Sequence, residues 1–127
     1  MDTASAQTYH DLTRDVSRNL SYLRAELPDV LKGFNDLGKA ASKAGVLDEK
    51  TKELIAIALG VAGHCDACIG FHVKALVRLG GTKKELAEAL SMAVYMGGGP
   101  SLMYAANTLA AYDEFAPAPA AATPIAA

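Results

Sequence analysis

The most restrictive stretch of this chain is Leu54 to Gly63, ten consecutive residues without a polar side chain, bounded by Glu53 and His64. As a helix it is apolar on every side, and such a helix is buried on every side. It is too short to cross a bilayer. Other amphipathic elements must therefore wrap it, and their periodicity says what they are. No segment alternates with period two, and no hairpin dipeptide joins two apolar runs, so no sheet is expected. No internal repeat at solenoid spacing is present. Aromatic residues are only 6% of the chain, with no Trp, while Ala is abundant, which favours helix. The expectation is one all-α domain of about six helices in 127 residues. Hydrophobic residues make up 51%, enough for a real core. A chain this small buries its core inefficiently, so self-association would help it.

Caps and breakers mark the helices. Residues 1–8 are small and polar and are expected to fray, and residues 9–115 form the domain. The first helix runs from about Tyr9 to Glu26, with an apolar stripe of Leu12, Val16, Leu20, Leu23 and Leu27. Pro28 stops it and starts a second helix, which carries Val30, Leu31, Phe34, Leu37, Ala40 and Ala41 and ends with Gly45 at C′. Asp48 caps the third, apolar helix, with Glu49 in its first turn. Gly63 and His64 make a turn. Asp66 is placed to cap a fourth helix, about Ala67 to Leu79, ended by Gly80 and Gly81. Thr82 and Glu85 make a capping box for a fifth, burying Leu86, Ala89, Leu90, Ala93 and Val94. Gly97-Gly98-Gly99-Pro100 stops it, and Pro100 takes the N1 position of a sixth helix that reaches about Phe115. The Ala/Pro-rich tail, residues 116–127, is expected to be disordered or loosely docked.

Charge narrows the function. The formal net charge is −2, so no basic field attracts nucleic acid. No run is long enough for a membrane span, and the first ten residues do not read as a signal peptide, so the expected location is the cytoplasm. There, two cysteines three positions apart point to redox or metal chemistry rather than a structural staple.

Those cysteines are Cys65 and Cys68, followed by His72. A turn and a helix start expose free N–H groups and the positive end of the helix dipole, which stabilise a thiolate. A two-residue gap at a helix start lets the sulfurs meet as a disulfide. His72 lies four residues after Cys68, on one face with Ala75, Leu76 and Leu79, so both are expected to point inward. Cys65, at the turn, is expected nearer any partner. Two other readings stay open: a pair of buried small hydrophobes, or zinc held by Cys65, Cys68 and His72 with Glu53, His64 or Asp66. Covalent haem needs His directly after the second Cys, where Ile69 stands. His64 reads as a solvated turn residue, His10 as helix surface, and the Gly-rich stretch as a helix corner rather than a phosphate loop. Glu53 is the last charge before the apolar run. In an antiparallel packing it falls about one turn, roughly 5–6 Å, from the level of His72. A water-bridged relay and a plain first-turn carboxylate remain equal readings.

The spacing of Glu53, Cys65-x-x-Cys68 and His72 resembles the motif of AhpD-like alkylhydroperoxidases in the carboxymuconolactone decarboxylase superfamily, over about Leu47 to Glu114. The stretch Met96 to Pro100 is similar to the small decarboxylase-type members. The resemblance implies an all-α fold with a central antiparallel helix pair, assembled as a trimer or hexamer. It implies that Cys68 attacks a hydroperoxide and passes through a sulfenic acid, and that Cys65 resolves it as a disulfide. It makes His72 the base or proton shuttle and Glu53 its orienting partner. The implied partners are a hydroperoxide substrate and a thiol reductant protein, with no cofactor. Ala67 stands where AhpD has a His. A decarboxylase-like lyase or a non-catalytic oligomeric or metal-binding module are the alternatives. True lactone decarboxylases of the superfamily lack the cysteine pair.

Overall fold

The computed structural model describes residues 7–118, all helices and connections, with no strand among them. The elements are α1 (Tyr9–Glu26), α2 (Pro28–Ser42), α3 (Glu49–Ala62), α4 (Asp66–Arg78) and α5 (Lys83–Phe115). The tail expected to be disordered and the N-terminal residues expected to fray lie mostly outside the described range. Thr8, assigned to that frayed segment, is instead the N-cap of α1, its hydroxyl accepting the Asp11 N–H at 3.0 Å.

α5 is one continuous assignment but two helical arms. Gly98 has φ 72° and ψ −154°, a conformation that a side chain strongly disfavours. The arms fold back on each other. Lys83 Nζ lies 3.0 Å from the Asp113 carboxylate, although thirty residues of straight helix would separate them by about 45 Å. The fifth and sixth helices expected from sequence are these arms, with Pro100 in the first turn of the second, two residues after Gly98. The Tyr112 hydroxyl donates to the Gly81 carbonyl at 2.8 Å and ties the end of the second arm to the start of the first.

Most predicted caps are present. Asp48 accepts the Thr51 N–H at 2.7 Å, and Thr82 and Glu85 form a reciprocal capping box. α4 ends in a Schellman motif: the Gly81 N–H reaches the Leu76 carbonyl at 2.9 Å, the Gly80 N–H reaches Val77 at 3.0 Å, and Gly80 takes φ 80°. Gly45 is not the C′ residue of α2. That helix ends at Ser42, and the Lys52 ammonium donates to the Ala41 and Lys43 carbonyls at 2.9 and 2.6 Å. A cation thus satisfies the helix end where glycine was expected to.

The core sits where α3, α4 and both arms of α5 meet. Ile57 and Val61 of α3, Ile69, Val73 and Leu76 of α4, and Leu86 of α5 are completely buried. Each large side chain buried this way contributes about 1.5–3 kcal/mol. α3 and α4 are the expected central pair, joined by the turn at Gly63 and His64. α3 is not covered on every side by its own chain: Ile55 and Leu59 are exposed, Leu59 to 67%. α2 buries only Leu31, and Val30, Phe34 and Leu37, expected as its packing face, stand in solvent. Leu23 of α1 and Leu27, the residue that ends it, are exposed as well. The amphipathic patterns do form helices, but several of their apolar faces stay exposed among the described residues.

Candidate functional site

α3 and α4 bring together the four residues singled out in the sequence. At the turn between them, His64 adopts φ 55°, a left-handed conformation uncommon outside glycine. Its ring stacks on Tyr104 of α5, with centroids 4.8 Å apart and planes 7° apart. That contact holds the turn from outside, while the Cys65 N–H bonds the Gly60 carbonyl at 2.9 Å.

Cys65, rather than Asp66, is the N-cap of α4. Its sulfur accepts the Cys68 N–H at 3.2 Å. Asp66 is the first helical residue and its side chain turns elsewhere. Cys65 and Cys68 are joined as a disulfide, with Cα atoms 5.3 Å apart. Both sulfurs sit at the helix N-terminus, where the dipole and the capping N–H favour the thiolate released on reduction. This is the pairing expected of two cysteines three apart at a helix start.

The direction of Cys68 differs from expectation. The buried stripe of α4 is Ile69, Val73 and Leu76, so the core face lies one residue on from the one read in the sequence. Cys68 is exposed, His72 is 41% exposed at its side chain, and Cys65 is half-buried. Cys68, rather than Cys65, is the more exposed cysteine of the single chain. A Cβ built on Gly60 would lie 3.4 Å from Cys68 Cβ, so the bare backbone of α3 runs close beside the pair.

Glu53 reaches His72 directly. Its Oε2 lies 2.6 Å from His72 Nδ1, and its side chain is only 13% exposed. The one-turn offset expected from helix register is bridged by the length of the Glu side chain, without a water. An ionised carboxylate only accepts, so it places the imidazole proton on Nδ1 and leaves the Nε2 lone pair free. A histidine held this way, one turn after Cys68, has a ring nitrogen left for proton exchange.

The donors considered for zinc do not converge. The cysteines bond each other, His72 pairs with Glu53, His64 stacks on Tyr104, and Asp66 accepts from Tyr9. Among the described residues, no three His, Cys, Asp or Glu side chains are grouped to hold a metal.

Two residues at the site carried no signal in the sequence. Tyr9 donates its hydroxyl to Asp66 Oδ1 at 2.9 Å. Glu114 accepts the Tyr9 and His10 N–H groups at 3.1 and 3.0 Å, capping the first turn of α1 from the far end of the chain. Separations of 57 and 105 residues leave no local pattern to read.

With this geometry in place, comparison with known proteins is specific. Residues 28–111 match the family model described as the carboxymuconolactone decarboxylase family. An uncharacterised protein of Cupriavidus necator is 39% identical over 99 residues, covering 78% of this chain and 88% of that one. The crystal structure of an apo carboxymuconolactone decarboxylase family protein from Legionella pneumophila is 54% identical, with a TM-score of 0.84 over 86% of this chain and 97% of that one. A family member from Thermotoga maritima, for which involvement in an antioxidative response has been suggested, is 28% identical with a TM-score of 0.72, over 80% of this chain and 87% of that one. By its sequence and its fold, the chain belongs to the carboxymuconolactone decarboxylase family, with the cysteine pair of AhpD-like members.

Proposed function

We propose that this protein is a thiol-dependent hydroperoxide reductase that cycles the Cys65–Cys68 disulfide. The observation that carries the reading is the disulfide at the start of α4, one turn before a histidine already paired with a mostly buried glutamate. In the reduced protein, the Cys68 thiolate attacks a peroxide oxygen. The O–O bond breaks, an S–O bond forms, and the alcohol leaves with a proton delivered through His72. The resulting sulfenic acid condenses with the Cys65 thiol, forming the disulfide and releasing water. Two electrons have then passed to the peroxide. A thiol reductant protein restores both thiols by exchange. The exposure of Cys68 suits attack on a peroxide, and the half-buried Cys65 beside it suits resolution. The suggested antioxidative role of the Thermotoga maritima relative agrees with this chemistry.

The working form is a homo-oligomer. The unpartnered faces of α2 and α3, with Phe34 at 69% and Leu59 at 67% exposure, are the surfaces a second copy would cover. No helix among the described residues is long and apolar enough to cross a membrane, and we place the protein in the cytoplasm, where thiol reductants operate.

The test is steady-state turnover of an organic hydroperoxide with a dithiol donor. Wild type turns over, and Cys68→Ser and Cys65→Ser do not sustain cycles. Turnover surviving Cys68→Ser overturns the assignment of roles. A lyase activity that persists after both cysteines are alkylated replaces the reading with the decarboxylase-type one.

A further inference from the structure

We infer that Tyr9 is a positioning residue for the cysteine pair: its hydroxyl holds the Asp66 carboxylate on the far side of the Cys-x-x-Cys turn and so keeps the reduced thiols acidic. The inference rests on the thiol chemistry proposed above and adds a residue from a different helix to it.

Asp66 lies between the two cysteines in the first turn of α4, as close in sequence to the sulfurs as a carboxylate can be. Its charge favours the helix N-terminus but opposes a thiolate in the same turn. A free carboxylate at this position would also compete with Cys65 for the N–H groups of that turn, including the Cys68 N–H. Two observations support a carboxylate turned away from the pair. The carboxylate accepts from the Tyr9 hydroxyl at 2.9 Å. It also lines a cleft of about 590 Å³ whose other walls include Tyr9, Leu12, Asn107 and Glu114, and neither cysteine.

Tyr9 is itself fixed. Gly70 packs so close to α1 that a Cβ there would come within 3.4 Å of the Tyr9 ring and 2.6 Å of the Thr13 methyl. Thr13 is buried and its hydroxyl bonds the Tyr9 and His10 carbonyls. Glu114 caps the same turn from α5. Burial and the neighbouring Asp66 and Glu114 carboxylates push the Tyr9 phenol well above its ordinary range, so it stays a donor throughout. The titratable groups that act on Tyr9 are Asp66 on α4 and Glu114 and Tyr104 on α5, while Glu53 of α3 pairs with His72 of α4 and His64 of the turn stacks on Tyr104.

The test is a double-mutant cycle of Tyr9→Phe and Asp66→Asn. It is read by the ultraviolet absorbance of the thiolate against pH and by the rate of thiol alkylation at neutral pH. Neither readout requires peroxide, so this inference and the peroxidase reading fail separately. Phenylalanine keeps the ring packed on Gly70, and circular dichroism reports that the helices persist. With Asp66 in place, Tyr9→Phe raises the thiol pKa by about half to one unit and slows alkylation about 3- to 10-fold. In the Asp66→Asn background, the same change has no effect. A shift that is absent with Asp66 in place, or that is equally large in the Asp66→Asn background, overturns the inference. Asp66→Asn alone is a second, independent test. With Tyr9 in place it changes the alkylation rate by less than about twofold. A larger increase shows the carboxylate already acting on the sulfurs and contradicts the inference.

Discussion

Gly70→Ala tests whether the docking of α1 on α4 is as tight as the contacts imply. An added Cβ would lie 2.6 Å from Thr13 Cγ2, and Thr13 is 4% exposed. The methyl has no free rotamer to retreat to. Thr13 Oγ1 shares its one proton between the Tyr9 carbonyl at 2.9 Å and the His10 carbonyl at 3.1 Å, so turning the side chain leaves a buried hydroxyl without its acceptors, which costs about 1–3 kcal/mol. Moving α1 instead is overpacking, which costs about 1–3 kcal/mol. Alanine regains about 1 kcal/mol of helix propensity over glycine. The net expectation is a loss of about 0–2 kcal/mol, a fall in Tm of up to roughly 10 °C for a domain of this size. Thr13→Ser removes only the methyl and keeps the hydroxyl, costing about 1 kcal/mol of lost burial. In that background Gly70→Ala should become neutral or stabilising by up to about 1 kcal/mol, a coupling of roughly 2 kcal/mol. Urea unfolding of the four proteins measures it. Additive effects would mean that the alanine is accommodated elsewhere and that α1 is not pinned at this point.

Other consequences follow from named contacts. Glu53→Ala removes the partner of His72, and kcat/KM for peroxide should fall about 10- to 100-fold, the equivalent of one charged hydrogen bond. Glu53→Gln, which keeps an acceptor, should lose less, and unchanged rates in both variants would remove Glu53 from the mechanism. The Glu85 carboxyl is held below its ordinary range by Lys50 and by the Thr82 N–H, and Asp48 is held low by its bonds to Thr51. Depressed carboxyl pKa values contribute stability above the unfolded values that is lost as pH falls through the folded ones. Urea midpoints should therefore drop on the acid side, and Asp48→Asn with Glu85→Gln should flatten that slope; an unchanged slope would refute it. Phe34→Glu places a charge on the uncovered face of α2, and sedimentation should show the assembly shifting toward the single chain, whereas an unchanged distribution would mean that this face is not the interface.

The elements that can be read from sequence are those whose signals are local. Asp48, Thr82 with Glu85, Gly80 with Gly81, and Pro28 each act within a few residues, and each stands where the pattern places it. The Gly98 break is equally legible, and it stands as the helix corner that the Gly-rich stretch indicates. The faces are less legible. The periodicity of α4 admits two adjacent stripes, and the choice between Cys68 with His72 and Ile69 with Val73 depends on which side α3 and α5 approach. α2 looks like a core helix because its apolar face is real, but among the described residues nothing packs over Val30, Phe34 and Leu37. Gly45 misleads, since Lys52 satisfies the end of α2 from the next helix. At the site, the spacing of Cys65, Cys68 and His72 is sufficient, whereas direct contact by Glu53 depends on side-chain reach that register alone underestimates. Tyr9 and Glu114 lie beyond any sequence signal because only the tertiary fold brings the start of α1 to α4 and to the end of α5.

The most direct test of the central claim is a single-turnover titration of the fully reduced protein with an organic hydroperoxide, without donor, followed by thiol counting and peptide mass mapping. Each chain should consume one equivalent of peroxide, lose both thiols and yield a Cys65–Cys68 disulfide, whereas Cys65→Ser should consume one equivalent and retain a trappable sulfenic acid on Cys68. Reduced protein that leaves the peroxide unconsumed and both thiols intact would contradict the claim.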